Sequence, residues 1–79
     1  MTDTDLQLLK NSVDKVVRIV CYDGESMLAK VHSVSDEDED LIYDLISTSK
    51  ESQYEKHDEQ PAYLIRFQDI EHVEPVQRT

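Results

Sequence analysis

Apolar residues recur along the chain first at the spacing of a helix and then at the spacing of β-strands. The residues that fit one helix face, at i, i+3 and i+7, are Leu6, Leu9 and Val13. Thr4 with Gln7 fits a capping box, and acidic residues beside them complement the positive end of a helix. The pattern predicts a short N-terminal helix over about residues 4–13, whose apolar face covers one end of a core.

The rest of the chain alternates apolar and polar residues, with β-branched and aromatic residues prominent, which is typical of strands. Asp23-Gly24, with the only glycine of the chain, predicts a tight turn that needs positive φ. The polar stretch of about residues 48–61 predicts a long exposed loop. The predicted strands cover about residues 16–22, 25–35, 41–47, 62–67 and 70–74.

Short consecutive strands close most economically into a small, strongly bent antiparallel barrel. In the second strand Met27, Ala29 and Val31 are predicted to share one face, and Val34 breaks the alternation, which indicates a bulge or bend. We therefore predict a mostly β fold, with a short helix and then five strands, in a single domain that covers residues 1–79.

The composition narrows the classes of partner. Eighteen carboxylates against eight Lys and Arg give a net charge of −10, which repels nucleic-acid phosphates and anionic membrane surfaces. Cys21 is the only cysteine, and no signal-like N-terminus or membrane-length apolar run is present, so we expect a cytoplasmic protein with no membrane partner. A chain of 79 residues buries little surface, which favours homo-oligomerisation as a source of stability.

Five consecutive acidic residues, 36–40, raise the question of a metal site, a docking surface or a solvated turn. Asp36, Asp38 and Asp40 alternate as at the start of an EF-hand loop. Leu41 and Ser47 stand where that loop needs Gly and Glu, so a dedicated calcium loop is disfavoured. The favoured interpretation is a solvated turn, with a weak divalent site shared between subunits left open, and no cofactor is predicted.

Catalytic chemistry finds little support in the pattern. The three histidines, His32, His57 and His72, lack metal-ligand spacing. Cys21 lies within an apolar strand, which favours a buried, inert thiol over a nucleophile. We therefore predict that the chain is not an enzyme.

Two short motifs resemble those of the Sm-like superfamily, which includes the Sm and Lsm proteins and bacterial Hfq. The first, "VRIVCYDGESMLAKV", is a strand, an Asp-Gly turn and a second strand, with Ala29 at the place of a family glycine. The second, "IRFQDI", keeps Ile65, Arg66 and Ile70 but has Phe67 at a glycine position. The order of helix, five strands and a variable loop between strands three and four also matches.

The resemblance implies a bent five-stranded barrel that assembles into rings through the fourth and fifth strands, 62–67 and 70–74. The residues expected at that interface are Tyr63, Ile65, Phe67, Ile70 and Val73. It also implies an RNA site at the pore, onto which Asp40, Arg66 and Phe67 map, with Asp40 nearest the place of a family Asn. A carboxylate only accepts hydrogen bonds, whereas that Asn also donates. Arg66 has a competing role in an ion pair, with Asp69 or with a carboxylate of a neighbouring subunit, and this is the favoured one.

Three functions follow as hypotheses. The first is a ring-forming Sm-like scaffold or protein-interaction module. The second is a diverged RNA-binding Sm-like protein that uses the pore loops. The third is an acidic decoy that mimics nucleic acid and occupies a basic partner.

Overall fold

A short helix precedes a five-stranded antiparallel sheet in the computed structural model, which describes residues 1–49 and 62–76. The helix is α1, Asp3–Lys10, and the strands are β1, Val16–Cys21; β2, Ser26–Ser35; β3, Asp40–Thr48; β4, Tyr63–Arg66; and β5, Ile70–Pro75. A 3-10 turn, Phe67–Asp69, joins the last two strands. The strand order is β4-β3-β2-β1-β5, so β4 and β5 form the two edges. The predicted fold class is confirmed.

The helix begins and ends earlier than the predicted range 4–13. Its N-cap is Thr2, whose hydroxyl accepts the Asp5 N–H, while Asp5 takes the place that the capping-box prediction gave to Gln7. A capping box formed by Thr and Asp satisfies the same free N–H groups two residues upstream of the predicted one. Asn11 caps the C-terminal end, so Val13 lies beyond the helix and is 42% exposed. Only Leu9 of the predicted apolar face is fully buried.

The Asp5 carboxylate attaches α1 to the last strand. Its Oδ1 accepts the Val73 N–H at 3.1 Å, and its Oδ2 accepts the Thr2 N–H and hydroxyl, both at 2.9 Å. Burial of Asp5 acts to raise its pKa, but these hydrogen bonds and the nearby N-terminal ammonium outweigh it and hold the pKa below the ordinary value of 3.8. The charged carboxylate is therefore part of the packed structure.

The core lies between α1 and the inner face of the sheet. Val17, Ile19 and Cys21 of β1 face inward, as do Met27, Ala29 and Val31 of β2, which confirms the predicted alternation. The β2–β3 register shifts at Leu28/Ala29 and again at Val31/Ser33, close to the bulge predicted near Val34. Such shifts bend a sheet. The remaining buried hydrophobic residues are Leu9, Leu41, Tyr43, Ile70 and Val73.

The turn between β1 and β2 depends on the glycine. Gly24 has a φ of +93°, which side chains on other residues disfavour, as the sequence predicted. The Asp23 Oδ1 accepts the Glu25 N–H at 2.9 Å, and the Gly24 N–H donates to the Cys21 carbonyl at 3.1 Å. Tyr22, predicted as the end of the first strand, is exposed because the turn already begins there.

The other strand ends differ from the predictions by one residue. The third strand starts at Asp40 because Asp40 pairs with Ser35, and the fifth extends to Pro75, which is the register partner of Val17. The predicted loop 48–61 begins inside the sheet, since Thr48 still pairs with Met27, and its residues 50–61 lie outside the described part. Within the described ranges, α1 is far too short to cross a bilayer, and no helix there has the length and apolar character of a membrane span.

Candidate nucleic-acid and subunit interface

The acidic residues form a compact turn between β2 and β3. Residues 36–39 connect Ser35 to Asp40, which are register partners. The Ser35 hydroxyl accepts the Asp38 N–H at 3.2 Å, and Glu39 adopts a φ of +54° to complete the reversal. The turn is thus fixed by its own backbone geometry, with four of the five acidic residues exposed and Asp40 half-buried at the start of β3.

Pairing of β3 with β4 brings the turn after β4 beside the acidic turn. Asp40 and Arg66 are register partners, and the Phe67 N–H donates to the Glu39 carbonyl at 2.9 Å. The three residues assigned to a pore site by resemblance, Asp40, Arg66 and Phe67, therefore lie at one end of the same strand pair. Arg66 is exposed, whereas Phe67 is half-buried against the core.

The favoured ion pair of Arg66 with Asp69 is not formed in the described part of the chain. The ion pairs there between oppositely charged Lys or Arg and carboxylate side chains are Lys10–Asp36 at 2.5 Å and Arg18–Glu74 at 3.9 Å. Arg66 projects from the β4 edge beside Asp40, so its guanidinium is available to a group from outside the chain. A cation at this position also offsets part of the negative potential of the acidic turn.

The acidic turn does not gather metal ligands within the described residues. Asp36 pairs with Lys10, and Asp38 accepts a hydrogen bond from the Ser35 hydroxyl at 3.3 Å. In ranges 1–49 and 62–76, the three-residue groups whose ligand atoms approach one another closely do not include Asp36, Asp38 or Asp40. A divalent site built from this turn would need carboxylates from more than one copy.

The residues expected at a subunit interface divide into two sets. Tyr63, Ile65 and Phe67 are half-buried and pack against the core, and the Tyr63 ring lies 6.0 Å from that of Tyr43. Ile70 and Val73 are 0% and 5% exposed, so their side chains belong to the chain's own core. These two positions offer a partner their backbone, not their side chains.

Sequence reasoning missed the aliphatic residue that β4 exposes most. Leu64 is 57% exposed, next to Ile42, its register partner, which is 36% exposed. Strand alternation was the available signal: if Tyr63 and Ile65 face inward, the residue between them faces outward. The two residues form an apolar patch at the β4 edge.

The histidines and the cysteine occupy the places expected for structural residues. His32 and His72 are partly exposed and hydrogen-bond through Nε2 to Asp44 at 2.6 Å and to Glu74 at 3.0 Å; His57 lies outside the described residues. Cys21 is buried, as expected. Sequence reasoning treated it alone, however, and missed that the Asp23 and Glu25 carboxylates lie beside its sulfur. The signal was the short spacing of the three residues across a tight turn.

Comparison with known proteins identifies the fold. No protein-family model matches the sequence, and no curated protein matches it. The structure is similar to the crystal structure of an SmAP (LSm) protein from Methanococcus vannielii, with a TM-score of 0.67 and 15% sequence identity. The match covers 92% of this chain and 96% of that chain. The chain therefore has an Sm-like fold, strongly diverged in sequence.

Proposed function

We propose that the chain is an oligomer-forming scaffold with an Sm-like fold, in which copies pair through the edges of their sheets. The observation that carries this proposal is the strand order, which leaves β4 at one edge and β5 at the other. A strand at an edge presents backbone N–H and C=O groups that can pair with another chain. The two edges belong to different strands, so the pairing is head to tail, as the Sm-like resemblance implies.

The β4 edge has the character of a contact surface. It is four residues long and carries Leu64 outward, with Ile42 beside it. Pairing a second strand here would remove part of this apolar patch from water, which stabilises an interface by about 25 cal/mol for each Å² buried. Short exposed edges of this kind are usually protected by charge, proline or a partner.

The β5 edge limits where the partner strand can pair. The Val73 N–H already donates to the Asp5 carboxylate, and Pro75 has no N–H to donate. The pairing that we propose is therefore centred on the first half of β5, from Ile70 to His72. Three residues there suffice for the four residues of β4.

Head-to-tail pairing closes into a ring when the rotation between copies permits it. Size-exclusion chromatography with light scattering and native mass spectrometry test this on the unmodified protein. The expected result is one stable species whose mass is a multiple of 9.2 kDa. A monomer that persists at micromolar concentration would overturn the proposal.

A second candidate function, RNA binding, is supported by the position of Arg66. Its guanidinium lies beside Asp40 and is not held by a carboxylate among the described residues. An arginine available in this way can stack on a base or bind a phosphate. Measurement of binding to oligo-U and A-rich RNA at low salt, where attraction to phosphate is strongest, tests this function. No binding under those conditions would remove it.

A further inference from the structure

Three groups that bind metals converge at the turn between β1 and β2. The Cys21 sulfur and the carboxylate oxygens of Asp23 and Glu25 all lie within 4.8 Å of one another. Cys21 ends β1, Asp23 begins the turn, and Glu25 directly precedes β2. The cluster lies in a different hairpin from the acidic turn at residues 36–39.

Burial distinguishes this cluster from ordinary surface carboxylates. Cys21 is 4% exposed and Glu25 is 7% exposed, whereas Asp23 is exposed and opens the cluster to solvent. A buried carboxylate is costly to desolvate unless hydrogen bonds or an opposite charge compensate it. A thiol and a carboxylate together inside, with a second carboxylate at the entrance, form a small anionic pocket.

The backbone holds the three groups in place. The Cys21 N–H donates to the Glu25 carbonyl at 2.8 Å, and the Glu25 N–H donates to the Asp23 Oδ1 at 2.9 Å. The Thr48 hydroxyl donates to the Glu25 Oε2, which ties the turn to β3. Hydrogen bonds of this kind orient metal ligands and tune their affinity.

We propose that this turn binds one divalent cation that accepts both sulfur and oxygen ligands, with Zn²⁺ as the best fit. Zn²⁺ takes Cys sulfur at ~2.3 Å and carboxylate oxygen at ~2.0–2.2 Å, which puts neighbouring ligand atoms roughly 3–4 Å apart. The three donors therefore need only a small closing movement. The thiol disfavours Mg²⁺ and Ca²⁺, which prefer oxygen alone.

On binding, the sulfur–metal bond forms as the Cys21 thiol loses its proton to solvent. The three ligands leave a fourth position for water or for a group from a partner, as in sites that are open to chemistry or assembly. The cation also bridges the ends of β1 and β2, so its binding free energy adds to the stability of a small domain.

Titration of the reduced protein with Co²⁺, used as a spectroscopic probe for Zn²⁺, tests the proposal directly. Cys21 is the only cysteine in the chain, so a thiolate-to-Co²⁺ charge-transfer band reports on this residue alone. We expect the band to saturate at one Co²⁺ per chain, to disappear on addition of Zn²⁺, and to be absent in Cys21→Ser. Glu25→Gln and Asp23→Asn should each weaken the affinity by about tenfold or more.

The double variant Asp36→Asn with Asp38→Asn is the matched control, because it also removes carboxylates from a turn but leaves the proposed ligands intact. Its Co²⁺ affinity should equal that of the unmodified protein. Circular dichroism establishes that each variant is folded; if Glu25→Gln unfolds, the exposed Asp23→Asn variant decides alone. The proposal is overturned if no band appears, if the stoichiometry is one metal per two chains, or if Asp23→Asn binds as tightly as the unmodified protein.

Discussion

The Asp5 carboxylate on α1 accepts a hydrogen bond at 3.1 Å from the Val73 backbone N–H of β5, 68 positions later in the chain. The same carboxylate closes the helix capping box with Thr2. One charged group thus satisfies the free N–H groups at a helix start and a donor of an edge strand. This arrangement links the stability of the helix to the state of the β5 edge.

Replacing Asp5 by Asn is expected to lower the free energy of unfolding by about 1–3 kcal/mol at neutral pH. An amide keeps one acceptor oxygen, but its NH₂ group cannot accept the hydrogen bonds that the second carboxylate oxygen now receives. Urea unfolding at fixed protein concentration measures the change, since oligomerisation would make stability depend on concentration.

Asp3→Asn is the control, because Asp3 is an exposed acidic residue in the same helix turn. Its effect should stay within about 0.5 kcal/mol. The pKa of Asp5 is depressed in the folded state, so its contribution is fully present above the ordinary value of 3.8 and declines as pH falls through the folded-state pKa. The difference between the unmodified protein and Asp5→Asn should therefore shrink in strong acid; a constant difference would contradict this account.

Glu39→Gly is expected to stabilise the protein by about 0.5–1 kcal/mol. Glu39 adopts a φ of +54°, a left-handed conformation that costs a residue with a side chain roughly 1–2 kcal/mol. Glycine removes that cost, although it gains more freedom in the unfolded chain, so only part of the difference remains. The backbone carbonyl that accepts the Phe67 N–H is retained. The midpoint of thermal unfolding should rise.

Asp38→Gly provides the comparison for that variant. It removes one negative charge from the same turn, but Asp38 is not among the described residues that have positive φ. Loss of its side chain also removes the hydrogen bond from the Ser35 hydroxyl. We expect Asp38→Gly to be neutral or destabilising; equal stabilisation by the two variants would mean that charge, not backbone strain, is responsible.

Local patterns were sufficient to predict the sheet but not the ends of the helix. Alternation in β2 and the Asp23-Gly24 turn depend on neighbouring residues, and both predictions agree with the structure. The helix cap does not, because Thr2 and Thr4 are both acceptable N-caps by residue type. The choice depends on Asp5, whose second partner, Val73, is at the opposite end of the sequence.

The site could be predicted only as far as local spacing and the Sm-like resemblance reached. The motifs mapped Asp40 and Arg66 to one place, and the β3–β4 register brings them together. The burial of Glu25 beside Cys21 was missed because it depends on Thr48 and the strand that carries it, which no nearby residue reveals. Ile70 and Val73 were assigned to an interface since an apolar edge strand and a core strand have the same residue types.

Leu64→Lys is expected to shift the proposed oligomer to monomer at micromolar concentration. Leu64 is the most exposed aliphatic residue of the edge strand β4, and a charged side chain on an edge strand opposes pairing with another chain. The fold itself should be unaffected within about 0.5 kcal/mol, because the side chain already faces solvent. Light scattering measures the mass, and circular dichroism confirms that the variant is folded.

Ile46→Lys makes the same chemical change on a strand with neighbours on both sides. Ile46 is 52% exposed on β3, which pairs with β2 and with β4. We expect this variant to keep the mass of the unmodified protein. Dissociation by Ile46→Lys to the same extent would indicate an interface on the outer face of the sheet, in place of one at its edge.

Arg66→Ala distinguishes an RNA-binding function from a purely structural one. If the guanidinium contacts bases or phosphates, its loss should weaken binding of oligo-U or A-rich RNA by about tenfold, since one base-contacting arginine contributes ~1–3 kcal/mol. Arg18→Ala is the matched control, because it changes the net charge equally but removes an arginine that is paired with Glu74 at 3.9 Å. Fluorescence anisotropy at low salt measures both affinities. Equal weakening by the two variants would indicate that any binding follows overall charge and that Arg66 forms no specific RNA site.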